Sequence, residues 1–483
     1  MITLGDLASV TPRVVICPAC VCDRFALIEC EADRDQGGGM LTDMHGGVIL
    51  RGLRHQRRLT LDDLSGSQLS TRRLTLLEDG VDATAQELRE LAATLGCSPL
   101  VLRHGLPADR GAQIRQELAR ADEALAEGLA AEARAQYAAL VDDPALGSRP
   151  DLWCQAELGL ALAAEADGDL PEAIERLTYL LAVLAPLDEQ QLPPMAFEDR
   201  EETEHRIGIA LALCRCLREV GDLSASVNIG EITFTRELPG GWTDRGIELG
   251  ATLLAAYIER GEQTICRALA AQLLEAAEQL GTPRALRAAC WNGATVAAID
   301  GDASLAADLG ERALAAHAHL TDPRSTGRLR ARLAENLLIY CPAEHARARQ
   351  MLLIAQQELA GSAASAIDLG YCQLWLARAA LLAGDVEAAA RQAEEIATRH
   401  PAALNLVADA RLLVADTLRA RQQMQAAAEV RTTTGEQLEQ MKAPGRASRA
   451  FADSAAELEE CGEVEASIRA YQRAMSVGDL ASY

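Results

Sequence analysis

The sequence predicts an all-α protein with a small five-helix module near its start and then an array of about 8–9 helical hairpins. Three observations predict it. Hydrophobic residues make up 49% of the 483-residue chain and aromatics only 3%, which suits helices built from Ala and Leu. A sheet would need more β-branched and aromatic residues. Residues 50–80 divide into short helical pieces with capping residues at their starts. From about Arg110 onward, Gly-Asp or Gly-Glu breaks recur at a near-constant period.

The first 43 residues read differently from the rest. They carry Cys17-Pro-Ala-Cys20, Cys22, Cys30 and the run Gly37-Gly38-Gly39. A zinc site needs four placed ligands, usually as two such pairs, and only one pair is present. We expect no metal, and little order over residues 1–43, whether as a leader or as translation upstream of a start at Met40 or Met44.

Residues 44–105 form the small module. Arg51, Arg54, Arg57 and Arg58 give an Arg-rich lead. Thr60 is placed to cap a short helix with Asp62 and Asp63 in its first turn, where carboxylates suit the helix dipole. Ser70 is placed to cap a second helix, TRRLTLLE, stopped at Asp79-Gly80. In that helix Leu74 and Leu77 lie three apart and face a core, so Thr71, Arg72 and Thr75 project from the other side. A short helix pinned by leucines and offering Thr and Arg is what a DNA major groove accepts.

Arg51, Arg54, Leu59 with Thr60, Leu64 with Ser65, Leu69 with Ser70, Leu74, Glu78 and Gly80 match a pattern. It resembles the helix-turn-helix of the lambda-repressor/Cro (XRE) family. ELRELAATLGCSPLVL, within Ala85–Leu102, looks like that family's last two helices. There are two departures. The turn is one residue short, with Gly66 just upstream, and Leu61 stands where the family usually has a phosphate-contacting Gln. The resemblance implies DNA contacts from Thr60, Ser70, Thr71, Arg72, Arg73 and Thr75, with Arg73, Arg54 and Arg57 nearer backbone or structural roles. It also implies a structural ion pair between Arg54 and Glu78.

After a linker at 106–111 the array runs over 112–483. The breaks fall at Gly128, Gly168, Gly221, Gly261, Gly301, Cys341, Gly384 and Gly462, with a degenerate turn near Gln422. Most intervals are 40 residues; one is 53 and carries the insertion PLDEQQLPPMAFED (Pro186–Asp199). Self-similarity at this period signals a solenoid of helix hairpins with an extended concave face. Asp151–Pro186, Gly384–Ile396 and Gly462–Met475 resemble tetratricopeptide (TPR) units. In TPR proteins the first helix of each hairpin lines the groove, and ligands meet residues about six and nine positions before the turn glycine. Those offsets mark Ala212 and Arg215, Asn292 and Thr295, Arg332 and Glu335 with Asn336 beside them, and Trp375 and Arg378. An Asn amide can grip a peptide backbone, and Arg can clamp a carboxylate.

Charge separates the two parts. Residues 48–105 hold 8 Arg against 7 acids, net +1, whereas 106–483 hold 35 basic against 57 acidic residues, net −22. The acidic array repels DNA, so any DNA contact belongs to the small module. A single Lys, Lys442, leaves no phosphate loop of the GxxxxGK type. The His are isolated, and His317 and His319, two apart, do not share a helix face. We expect no enzyme, no cofactor, no membrane span and a cytoplasmic location.

Module plus array resembles the peptide-sensing regulators of Gram-positive bacteria and the XRE–TPR regulators. That implies a homodimer binding double-stranded DNA, with a peptide or protein ligand in the solenoid groove. The alternative is a TPR scaffold whose degenerate helix-turn-helix only packs.

Overall fold

The computed structural model describes residues 46–65, 69–97, 99–104, 108–143, 146, 149–184, 200–238, 241–317, 323–362 and 364–480. The expected leader with its cysteines, Gly66, His319 and the insertion Pro186–Asp199 lie outside the described residues. Every regular element described is helical.

Five helices form the module: α1 (Gly46–Gln56), α2 (Leu61–Leu64), α3 (Thr71–Glu78), α4 (Ala85–Thr94) and α5 (Pro99–His104). Polar caps set their starts. Thr60 and Asp63 form a reciprocal capping box on α2, as do Thr84 and Glu87 on α4, while the Ser70 hydroxyl accepts from the Arg73 amide on α3. Apolar residues at helical spacing then meet in one core, in which Ile49, Leu53, Leu74, Leu91, Leu95 and Leu102 are fully buried. α1 lies hard against the end of α3: a Cβ on Gly47 would come within 2.4 Å of the Leu77 carbonyl oxygen. Only glycine permits that approach.

Eighteen further helices follow among the described residues, nine hairpins in chain order. The hairpins are α6 (Ala108–Ala126) with α7 (Ala130–Val141), α8 (Pro150–Asp167) with α9 (Leu170–Val183), and α10 (Arg200–Glu219) with α11 (Leu223–Glu237). Next come α12 (Asp244–Arg260) with α13 (Gln263–Leu280), α14 (Pro283–Ile299) with α15 (Ala303–His317), and α16 (Pro323–Tyr340) with α17 (His345–Ala360). The last three are α18 (Ala366–Leu382) with α19 (Val386–Arg399), α20 (Leu404–Ala420) with α21 (Met424–Gln440), and α22 (Pro444–Glu460) with α23 (Val464–Leu480). Residues 108–111, expected in the linker, form the first turn of α6 instead.

The hairpin turns follow the periodic glycines. Gly261 takes φ 86° and its amide closes onto the Tyr257 and Ile258 carbonyls, a left-handed cap that a Cβ disfavours. Gln422 adopts φ 64° at the degenerate turn, where no glycine is available. Cys341, by contrast, opens a 3-10 turn over Pro342–Glu344.

By contact density the described residues divide into two compact units. The described residues of Met1–Ile114, Leu140–Cys154 and Ala182–Met195 form one, and those of Arg115–Ala139, Gln155–Leu181 and Ala196–Tyr483 the other. The first thus holds the five-helix core, and Gln56 Nε2 there donates to the Val141 and Asp143 carbonyls at 2.7 and 2.6 Å. In the second, small residues let the helices approach: Ala173, Ala210, Ala256, Ala289, Ala377 and Ala447 are all buried. No helix among the described residues is long and apolar enough to cross a membrane, and no group of three or more His, Cys, Asp or Glu there is placed to hold a metal.

Candidate nucleic-acid interface and array interior

In α3, Leu74 and Leu77 are buried and Arg72, Thr75 and Leu76 are exposed, with Thr71 half-buried at the start. The helix thus has an inner and an outer face, and the outer one carries one free-standing cation. The Thr71 hydroxyl donates to Asp62 Oδ1 at 2.8 Å, which ties α3 to α2, and Thr75 donates to the Thr71 carbonyl at 3.0 Å. Thr60 and Ser70 are exposed but spend their hydroxyls on helix caps.

Arg73, expected in the DNA-contact set but nearer a backbone or structural role, takes a structural one here. Its Nε and Nη2 donate to the two Glu87 oxygens at 2.7 and 3.0 Å, and Nη2 also reaches the Asp82 carbonyl at 3.0 Å. Together with the Thr84 cap this holds the Glu87 carboxyl near pKa 2. Arg73 therefore clamps α4 to α3. The physical reason is spacing: in an eight-residue helix, the residue beside the leucine stripe lies within reach of the next helix's first turn.

Arg54 and Glu78 are almost completely buried and doubly bonded, Nε to Oε1 at 2.7 Å and Nη2 to Oε2 at 3.0 Å. Arg54 also donates to the Leu59 carbonyl at 3.0 Å, and Arg51 adds bonds to Glu78 and Asp79. Burial between Arg51 and Arg54 pushes the His55 imidazole down to about 3, so it stays neutral. The Arg-rich lead thus points mostly inward.

The array interior is lined by charge. Glu165 on α8 accepts from Arg215 on α10 at 2.5 Å through both nitrogens and from Arg324 on α16 at 3.3 Å. Arg324 and Arg328 both reach Asp368 on α18, which lies well below the usual carboxylate range despite its burial. Tyr371 on α18 donates to Glu219 on α10 at 3.1 Å, and Asn405 on α20 donates to Glu259 on α12 at 2.9 Å. Arg446 on α22 completes the chain through Asn405 and Asp409. Burial outweighs the neighbouring Arg at two acids, raising Glu219 to about 7 and Asp409 to about 6.

These links join first helices up to 159 residues apart, and the hairpin turns meet as well. A Cβ on Gly261 would lie 3.1 Å from Gly445 Cα, and one on Gly128 would lie 2.7 Å from the Ser362 carbonyl oxygen. The inner faces therefore close on one another. Beside Arg215, Arg328 and Asp368 a cavity of about 10 Å³ remains, room for about one water.

That closure corrects the open groove expected from the repeat pattern. Arg215 is spent on Glu165, Arg332 on Glu335 at 2.6 Å, and Arg378 on Asp416. Asn292 and Thr295 bond carbonyls of their own helix, at Ala288 and Trp291. Trp375 packs against the core cluster containing Leu338 and Leu352, Ala212 is buried, and Asn336 is half-buried on α16. The offset rule locates inner faces but not their occupants. It missed Glu165, Arg324, Arg328, Asp368 and Tyr371, whose only sequence signal is the crowding of four Arg (Arg324, Arg328, Arg330 and Arg332) at the start of α16. Leu76 on the outer face of α3 was missed as well, though it lies four residues after Arg72.

No protein-family model matches the chain, and no curated protein is significantly similar to it. Solved structures are similar at low identity. A Rap protein complexed with Competence and Sporulation Factor matches at 12% identity over 77% of this chain and 99% of that one, TM-score 0.48. The apo form of the quorum sensor NprR from B. thuringiensis matches at 11% over 76% and 98%, TM-score 0.41. PlcR of Bacillus thuringiensis, in complex with the peptide PapR7 and DNA, matches at 14% over 59% and 98%, TM-score 0.35.

Proposed function

We propose that this chain is a sequence-specific DNA-binding regulator of the kind its helix-turn-helix motif resembles, with residues 46–104 reading duplex DNA and the helical array receiving a peptide or protein partner. One observation carries the reading. α3 is capped, pinned by Leu74 and Leu77, and presents Arg72, Thr75 and Leu76 outward on a face that no described residue covers. Arg pairs with guanine edges, while apolar side chains meet the thymine methyl. The net charge of the module is only +1, so one copy makes few phosphate contacts; two tethered copies on two half-sites supply the missing affinity.

The array supports a signal-receiving role through its closure. A ligand entering between the first helices must replace links such as Arg324–Glu165 and Tyr371–Glu219, so binding and curvature are coupled. Nine free cysteines among the described residues, six of them buried, suit a reducing cytoplasm.

A second reading has its own support. Arg51, Arg54 and Arg73 are all spent on carboxylates within the module, which favours a scaffold whose helix-turn-helix only packs. Selection of binding sites from random duplex DNA with the full chain separates the two. Enrichment of a discrete sequence, lost in Arg72→Ala, supports the regulator; no enrichment leaves the scaffold.

A further inference from the structure

Two clusters of buried charge meet at Glu219, and neither is balanced. One is a bonded chain across five helices. Tyr371 on α18 donates to Glu219 on α10, and Arg218 donates to Glu219 at 3.3 Å and to Glu259 on α12 at 2.8 Å. Asn405 on α20 bridges Glu259 to Arg446 on α22, which also holds Asp409. Three carboxyl groups thus share two guanidiniums, and the chain is neutral only when one acid keeps its proton. The second cluster is the reverse: Arg215, Arg324 and Arg328 share two carboxylates, Glu165 and Asp368. Buried charge without a partner is costly on either side. Arg328 holds the surplus cation. It pairs with Asp368 Oδ1 through Nε at 3.0 Å, and its terminal nitrogens hydrogen-bond to no described residue. Asp368 supports its charge, but burial and repulsion from Arg324 and Arg215 outweigh that and hold it below the usual arginine range. Arg328 and Glu219 line the same cavity of about 10 Å³, room for about one water.

We infer that Glu219 is a proton-operated switch: protonated, it stays with Tyr371 on α18, and once its proton leaves to water the carboxylate turns across the cavity to Arg328 on α16. Ionisation then cancels both surpluses at once. No other cation near Glu219 offers this. Arg218 is shared with Glu259, Arg215 is held through two nitrogens by Glu165, and Arg446 is committed to Asn405 and Asp409. The remaining neighbours oppose a carboxylate left where it is. Glu165 on α8 lines the same cavity, and Glu259 on α12 and Asp368 on α18 repel the charge. Cys216, also on α10, stays an uncharged thiol, because burial pushes it well above its ordinary value. Burial already raises Glu219 to about 7, so the switch works near neutral pH. Its turn exchanges a link between α10 and α18 for one between α10 and α16, which changes how those helices are held together.

The switch needs neither DNA nor a bound partner, so it goes beyond the regulator reading and is tested apart from it. Infrared difference spectra of the full chain between about pH 5 and pH 9 follow it, because a protonated carboxyl has a carbonyl band that its carboxylate lacks. The wild type is expected to lose such a band with a midpoint near 7 or below, and Glu219→Gln to lack that loss. Arg328→Gln should move the midpoint up by about one pH unit or more, and Arg328→Lys should bring it back, since the charge across the cavity is what matters. Arg267→Gln, at an exposed pair with Asp300, should leave it unmoved. Hydrogen exchange, corrected for the intrinsic effect of pH, reads the change of partner. Above the midpoint the amides of α18 around Tyr371 should exchange faster in the wild type but not in Glu219→Gln. A wild type without the band, a midpoint indifferent to Arg328→Gln, or α18 exchange unchanged across the midpoint would each overturn the inference. The band and the exchange are read on the wild type, so a variant that fails to fold does not remove the test. Site selection from duplex DNA judges the regulator separately: its failure leaves the switch standing, and a failed switch leaves DNA reading untouched.

Discussion

Arg324 and Glu165 meet at 3.3 Å although 159 residues separate them, and Arg215 shares the same carboxylate. One acid therefore joins α8, α10 and α16. The carboxylate is only 5% exposed, and a buried charge that loses its partner is expensive to keep.

Glu165→Gln should accordingly destabilise the array by about 3–5 kcal/mol, because two guanidinium groups lose their shared counter-charge. Denaturant midpoints of the full chain measure this. Glu387→Gln is the control: Glu387 pairs with Arg421 but is 73% exposed, so its loss should cost no more than about 1 kcal/mol. Equal effects would mean that the interior links contribute no more than surface pairs.

Arg54 and Glu78 are 3% and 2% exposed in the module core. Glu78→Gln removes the charge but keeps the shape, leaving Arg54 buried and uncompensated at a cost of about 3–5 kcal/mol. Hydrogen exchange at Ile49, Leu53 and Leu74 should speed up together. Unchanged exchange would show that Arg54 finds a substitute partner.

Arg72 and Arg73 are neighbours with different expected losses. Arg72→Ala should cost about 1–3 kcal/mol of binding to a selected DNA site and relax its sequence preference, with melting unchanged. Arg73→Ala should lower melting by freeing Glu87 while leaving sequence preference intact. DNA titration and thermal melting of both variants form the test, and identical profiles would remove the division.

Glu219 is raised to about 7 by burial, from an ordinary 4.5. Its folded form holds the proton more tightly than the unfolded chain, so its contribution is fully present below about pH 4.5 and fades as pH rises through 7. Glu219→Gln cannot ionise. The wild type should therefore lose on the order of 2–3 kcal/mol more stability than the variant between about pH 5 and pH 8. Parallel pH profiles would place the Glu219 carboxylate in an environment that stabilises its charge.

Gly47→Ala places a methyl 2.4 Å from the Leu77 carbonyl oxygen, which is backbone and cannot swing away. α1 must then shift off α3, a strain of about 1–3 kcal/mol. Melting of the module should fall accordingly, and an unchanged melting temperature would show that the helices separate freely.

Much of the local structure was legible in residues 44–105. Thr60 and Ser70 cap because a hydroxyl before a helix satisfies amides that have no other partner, and Leu74 and Leu77 are inward because helical spacing puts them on one face. Arg73 was not legible as a clamp, because its partner Glu87 lies 14 residues on, beyond the turn. In the array, the glycine period marked the hairpins and even the degenerate turn at Gln422. It could not mark what the inner faces hold.

The sequence by itself determined the helices, their caps, their turns and which side of each is apolar, since all of these depend on residues within a turn or two of one another. Tertiary structure alone decided that Arg215 and Arg378 are spent on carboxylates of other helices, whereas Arg332 pairs locally with Glu335. The reason is cumulative geometry. Each hairpin adds a small rotation fixed by packing at residues such as Ala173 and Gly250, and only their sum over several hairpins brings Arg324 to Glu165 and Gly445 to Gly261.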